Sequence, residues 1–92
     1  MEQIAADIRK ALETKDFSGS LKFDCGDDGV IVLADGTATT TDRDTECTLR
    51  LSRENLTSLL KGKLNPMMAL ATGKLKLSGS PAVAMGLAKL LG

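Results

Sequence analysis

At 92 residues, with 42 % hydrophobic and 26 % charged side chains, the chain has the composition of one globular domain, 1–92, and is too short for a second core. Twelve basic and twelve acidic residues cancel, but residues 1–49 carry 5 basic and 11 acidic side chains and residues 50–92 carry 7 and 1, so that a −6 half precedes a +6 half. No His, Trp or Tyr is present, which removes the usual general base and the stacking platform of a nucleic-acid binder and leaves an interior of Leu, Ile, Val, Ala, Met and two Phe.

Ile4, Ile8, Ala11 and Leu12 recur at the helical period, with Glu2, Asp7, Arg9, Lys10 and Glu13 on the other face, which predicts an amphipathic helix over 2–14. Charged from its start, this segment has no signal-peptide character, and no apolar run reaches the roughly 20 residues of a membrane span, so a cytoplasmic domain is expected. SLKFDC then alternates, with Leu21, Phe23 and Cys25 inward and Lys22 and Asp24 outward. A turn at 26–29 leads into Val30–Ala34, an unbroken apolar run that fits a strand covered on both faces. Asp35-Gly36 is a type I′ hairpin signal, TATTT is a polar edge strand, and TECTLRL alternates with Cys47, Leu49 and Leu51 inward.

Helices return in the second half. Ser52 is placed to cap a helix ending at Gly62, and Asn65-Pro66 to cap and open another that stops at Gly73. KLKLS is a fifth strand with Leu75 and Leu77 inward, and Ser80-Pro81 starts a last helix with a Val83, Leu87, Leu90, Leu91 stripe. The order αββββααβα, with charged residues on one face of the first, fourth and fifth strands, predicts a two-layer α+β sandwich: a five-stranded sheet with its helices on one face.

The acidic turns at Asp27, Asp28, Asp35, Asp42 and Asp44 serve backbone geometry better than calcium, and Cys25 and Cys47 have no metal-ligand spacing; both are read as reduced core thiols that neighbouring strands bring near each other. No catalytic residue, metal site or cofactor site is assigned, and an enzyme is not expected. Met67, Met68 and Met85, adaptable thioethers at helical spacing, are the one feature suggestive of binding, although such residues are equally at home in a core.

The stretch LTSLLKGKLNPMMALATGKLKLSGSPAVAMGLAKLL resembles the C-terminal signature of the sterol carrier protein 2 (SCP-2) family. Gly62, Lys63, Leu64 and Pro66 match its first turn, Met68 and Ala71 its helix, and Gly73, Lys74, Leu75, Lys76 and Gly79 its strand and exit. The resemblance implies a mostly antiparallel sheet of order 3-2-1-4-5, with the first four strands antiparallel and the fifth parallel to the fourth. It further implies an apolar space between sheet and helices for sterols, fatty acyl chains or phospholipids. On this chain that space would be lined by Leu64, Met67, Met68, Ala71, Leu75, Val83, Leu87 and Leu90. The peroxisomal ending of better-known members is not matched by Leu90, Leu91 and Gly92, so that location does not carry over.

The expected function is non-catalytic binding or transfer of a lipid or other apolar ligand. The alternative is an accessory or dimerisation module, a homodimer included. Nucleic acid is not expected as a partner. Transient contact with anionic membranes is expected through Lys61, Lys63, Lys74, Lys76 and Lys89.

Overall fold

The computed structural model describes residues 1–91, with the side chains of Ala88, Lys89 and Leu91 outside the described set. The element order matches the sequence reading: α1 (Glu2–Leu12), β1 (Leu21–Asp24), β2 (Val30–Ala34), β3 (Thr37–Thr39), β4 (Cys47–Arg50), α2 (Arg53–Leu60), α3 (Pro66–Ala71), β5 (Lys76–Gly79) and α4 (Pro81–Leu91). A single 3-10 turn, Gly26–Asp28, joins β1 to β2. Asp35 and Gly36 both take positive φ, at 55° and 76°, as a type I′ turn demands.

Local signals set the helix ends. The Ser52 side chain accepts from the Asn55 amide at 3.0 Å, and Asn65 Oδ1 accepts from the amides of Met67 and Met68 at 2.8 and 3.3 Å, satisfying donors that a helix start leaves free. Ser80 does the same more loosely for Val83, at 3.5 Å. β5 is shorter than KLKLS suggests. The amides of Lys74 and Leu75 are drawn to the Ala69 carbonyl at the end of α3, at 2.9 and 3.1 Å, so these two residues belong to the turn and the strand begins at Lys76.

The five strands form one sheet in the order β3-β2-β1-β4-β5. Strand directions differ from those implied by the resemblance. β1 and β4 are parallel, with Leu21 beside Cys47, while β4 and β5 are antiparallel, with Cys47 beside Gly79. The reason lies in the connections. β3 ends at the sheet edge and residues 40–46 carry the chain back across the open face, so that β4 enters in the direction of β1; α2 and α3 together then return the chain to the end of the sheet it left, and no crossover is required. The crossing segment is pinned by an ion pair between Lys22 Nζ and Asp42 at 2.6 Å, which holds the Asp42 carboxyl below its ordinary pKa. Val32, the partner of Lys22 in register, shares that open face, pointing away from the helices, and is buried as the unbroken run predicted.

Leu21, Phe23, Ile31, Leu33, Cys47 and Leu49 face the helices and meet Ala5, Ile8, Leu56, Leu59, Val83, Leu87 and Leu90 in one core, in which Phe23 is fully buried. The stripe expected on α4 therefore faces inward, with Leu91 beyond the described side chains. α1 is tied over the free edge of β3 by Arg9, whose Nη1 donates to the Ala38 carbonyl at 2.7 Å. Among the described residues no helix is long and apolar enough to cross a membrane.

Both cysteines are buried and free. They are also far apart, contrary to expectation: Cys47 sits beside Leu21, four residues before Cys25, a separation of roughly 13 Å along the parallel strands. That distance exceeds the 7 Å a disulfide can span. Burial pushes both thiols up in pKa, with Asp28 and Asp24 adding to the effect at Cys25. A thiol whose folded pKa is raised contributes stability that is complete at neutral pH and is lost as the pH rises into the alkaline range where the unfolded thiol ionises. Thiol titration at pH 8 is accordingly expected to be slow in the native protein and to find two groups after unfolding; finding none would reject the reduced state.

Candidate functional site

Two hollows flank α4. The smaller, about 260 Å³, lies between α1, α2 and α4 and is lined by Asp7, Ile8, Ala11, Lys15, Leu60 and Leu90. Charged groups border it, and Lys15 Nζ donates to the Leu90 carbonyl at 3.2 Å across it. The second is of a different character. About 310 Å³ in volume, it opens between α3, β5 and α4 and is lined by Leu49, Pro66, Met67, Leu70, Leu75, Leu77, Pro81, Ala84, Met85 and Leu87. Every one of these side chains is apolar.

Each wall has a local cause. The Asn65 cap and Pro66 fix where α3 begins, which sends Met67 and Leu70 toward the cleft while Ala69 packs fully into the core. The alternation of β4 and β5 supplies Leu49 and Leu77, which are partners in register. On α4 two neighbouring stripes divide the labour: Val83, Leu87 and Leu90 face the core, while Pro81, Ala84 and Met85 face the cleft, with Leu87 shared between them. The rim is apolar as well, since Met67 and Met85 are each 74 % exposed.

Of the eight residues expected to line a ligand space, Met67, Leu75 and Leu87 come together here. Val83 belongs to the core and Leu64 packs against it, while Leu90 borders the smaller hollow. Met68 and Ala71 lie on the exposed outer side of α3, because Ala69 takes the inward position and its neighbours in the helix turn away from it. Pro66, Leu70, Leu77, Pro81, Ala84, Met85 and Leu49 were missing from that set. For Pro81, Ala84 and Met85 the signal is present in PAVAMGLAKLL, which is apolar nearly all round where a helix with one buried face would alternate.

The chemistry available in the cleft is exclusion of water. No titratable side chain lines it. Among the described residues no group of three or more His, Cys, Asp or Glu is placed to hold a metal ion. Its volume is near the lower end of the ~300–1,000 Å³ common for small-molecule pockets.

Comparison with known proteins bears on the family and the fold. The model of the SCP-2 sterol transfer family matches residues 1–92. Sterol carrier protein 2 of Gallus gallus is 40 % identical over 53 residues, which are 58 % of this chain and 10 % of that protein, so the match spans about a tenth of the length of this curated relative. The solution structure of sterol carrier protein 2 from Aedes aegypti in complex with palmitate superposes with a TM-score of 0.80 at 20 % identity, covering 99 % of this chain and 93 % of that one. Sterol carrier protein domain 2 of Helicoverpa armigera superposes with a TM-score of 0.64 at 28 % identity, covering 98 % and 77 %. With the family model matched from end to end and the same fold in these structures, the chain belongs to the SCP-2 sterol transfer family.

Proposed function

We propose that this domain is a non-catalytic carrier that takes the hydrocarbon part of a lipid into the cleft between α3, β5 and α4 and shields it from water. The observation that carries this reading is the wall itself: ten apolar side chains, with no charged or hydrogen-bonding side chain among them. A folded domain gains nothing from leaving such a surface half open unless something apolar covers it. At about 25 cal/mol per Å², burying some 200 Å² of hydrocarbon would stabilise a complex by about 5 kcal/mol, enough for binding without a head-group contact. Specificity then follows chain shape and length, and the two methionines at the mouth adapt to either. The palmitate held by the Aedes aegypti relative is an acyl chain of this kind. The cleft offers no nucleophile, acid or base, so transfer of the ligand and not its conversion is the role, and two buried reduced thiols suit a cytoplasmic setting.

Titration with a fluorescent fatty acid is expected to give saturable 1:1 binding that unlabelled palmitate displaces, and native mass spectra of freshly purified protein should carry adducts of lipid mass. If neither acyl nor sterol probes bind saturably and the spectra are clean, the carrier reading fails.

A further inference from the structure

Sulfur in this molecule is divided by its access to water. Cys25 and Cys47 are buried, and the burial that raises their pKa keeps both protonated at neutral pH, which removes the thiolate through which a peroxide attacks cysteine. Met1 is half-buried and packs against the core. The other three thioethers stand open, Met68 being 60 % exposed against the 74 % of Met67 and Met85. Their surroundings differ. Met67 on α3 and Met85 on α4 both line the apolar cleft, whereas Met68, of nearly equal exposure, follows Met67 in the same helix and lines no part of it. The two helices that form the cleft mouth thus each bring one sulfur atom to it, reachable from water when the cleft is empty.

From this we infer that Met67 and Met85 form an oxidative modification site, with a small peroxide as the oxidant, whose state sets the affinity of the cleft for hydrocarbon. The inference rests on the carrier reading and deepens it, since it gives the same cleft a means of release. The chemistry is oxygen transfer. The thioether sulfur attacks one oxygen of hydrogen peroxide, an S–O bond forms as the O–O bond breaks, and the proton on the transferred oxygen passes to the departing hydroxide, which leaves as water. Sulfur is oxidised and the peroxide reduced by the same electron pair, and the product is a methionine sulfoxide. That product puts a strong acceptor oxygen into a wall that has none. Covering it with an acyl chain strips its water, and none of the ten lining side chains can donate a hydrogen bond in exchange. A bound chain in turn shields both sulfurs from peroxide while Met68 stays open, so the empty carrier is the form that reacts. Methionine sulfoxide reductases restore the thioether, which makes the change reversible.

Treatment with hydrogen peroxide at neutral pH, with and without saturating palmitate, followed by peptide mapping and titration with a fluorescent fatty acid, tests this directly. Trypsin leaves Met67 and Met68 in the peptide 64–74 and Met85 in the peptide 77–89, and fragmentation separates the first pair. Palmitate is expected to slow oxidation of Met67 and Met85 while Met68 reacts at an unchanged rate. The oxidised protein should melt like the untreated one, still yield two thiols on unfolding, and bind the probe about tenfold or more weakly, with recovery after reductase treatment. Met68→Leu should show the same loss. Met67→Leu/Met85→Leu, compared with its own untreated form, should lose less than about twofold, because the cleft then holds no sulfur to oxidise. A protein that binds the probe equally before and after Met67 and Met85 are oxidised overturns the inference and leaves the carrier reading standing. So does palmitate protection that extends equally to Met68, a loss in the double variant equal to that of the parent, or a loss explained by a collapsed melting transition. Failure of the untreated protein to bind any acyl probe removes the carrier reading, and this inference with it.

Discussion

Replacing Gly79 with alanine is expected to lower stability by about 3 kcal/mol, the sum of backbone strain and overlap with atoms that have no room to move. Gly79 takes φ +90°, a region that alanine enters at a cost, and a methyl group there would collide with the Glu46 carbonyl oxygen and come within 3.1 Å of Cys47 Cα. Both belong to the backbone at the start of β4, and the Glu46 oxygen is already held by the Ser80 amide at 2.8 Å. Gly73 provides the control. Its φ is similar, at +77°, but nothing lies within 4 Å of an added methyl, so Gly73→Ala should cost only about 1 kcal/mol. In a domain of this size the difference corresponds to roughly 10 °C in Tm. Equal melting of the two variants would show that the β4–β5 contact is looser than described. Because β5 carries Leu77 into the cleft, acyl-probe binding should weaken in the Gly79 variant and persist in the other.

The second large effect concerns Leu87, which is 3 % exposed yet borders both the core and the cleft. Leu87→Phe is expected to reduce acyl-probe affinity by tenfold or more, about 1.4 kcal/mol, while stability changes by less than about 1 kcal/mol. A phenyl ring can turn into the open volume on the cleft side and fill the space a hydrocarbon would use. Leu56 has no such side: it is fully buried in the core, and Leu56→Phe should cost about 1 to 3 kcal/mol by overpacking. Ala84→Phe, on the cleft wall one turn earlier, should reproduce the binding loss. Denaturant unfolding with probe titration decides the matter. Should Leu87→Phe melt like Leu56→Phe and still bind the probe, the hydrocarbon lies elsewhere.

Much of this architecture can be read from local chemistry. Ser52, Asn65-Pro66 and Asp35-Gly36 each state a cap or turn within a few residues, and the alternation of Leu21 and Phe23 against Lys22 names the inward face of β1 without reference to the rest of the chain. Strand direction is another kind of information. The parallel pairing of β1 with β4 depends on a polar segment returning under the sheet, fixed by Lys22 and Asp42 twenty residues apart, and no periodicity reports that. The same distinction governs the site. Leu87 follows from helix phase and the inward direction of Leu75 from the alternation of KLKLS, although Leu75 itself ends in the turn before β5, whereas Met68 and Ala71 follow only from likeness to the family signature and lie outside the cleft because the buried position in so short a helix is taken by Ala69. Met85 and Ala84 form a second apolar stripe that a search for one buried face passes over.

The hydrogen bond from Arg9 to the Ala38 carbonyl bears on how the molecule avoids others of its kind. β3 is an outer strand, and an unoccupied row of backbone groups there would accept a strand from another chain and begin stacking. Arg9 fills the acceptor at the middle of a strand only three residues long, so too little free edge is left to template an addition. The opposite edge is blunted by other means. β5 has four residues, carries the exposed Lys76 and ends on Gly79 in a conformation that an extended ladder does not continue. A sheet that opens a greasy cleft at one end is thereby denied both of the edges along which it could grow into a fibre.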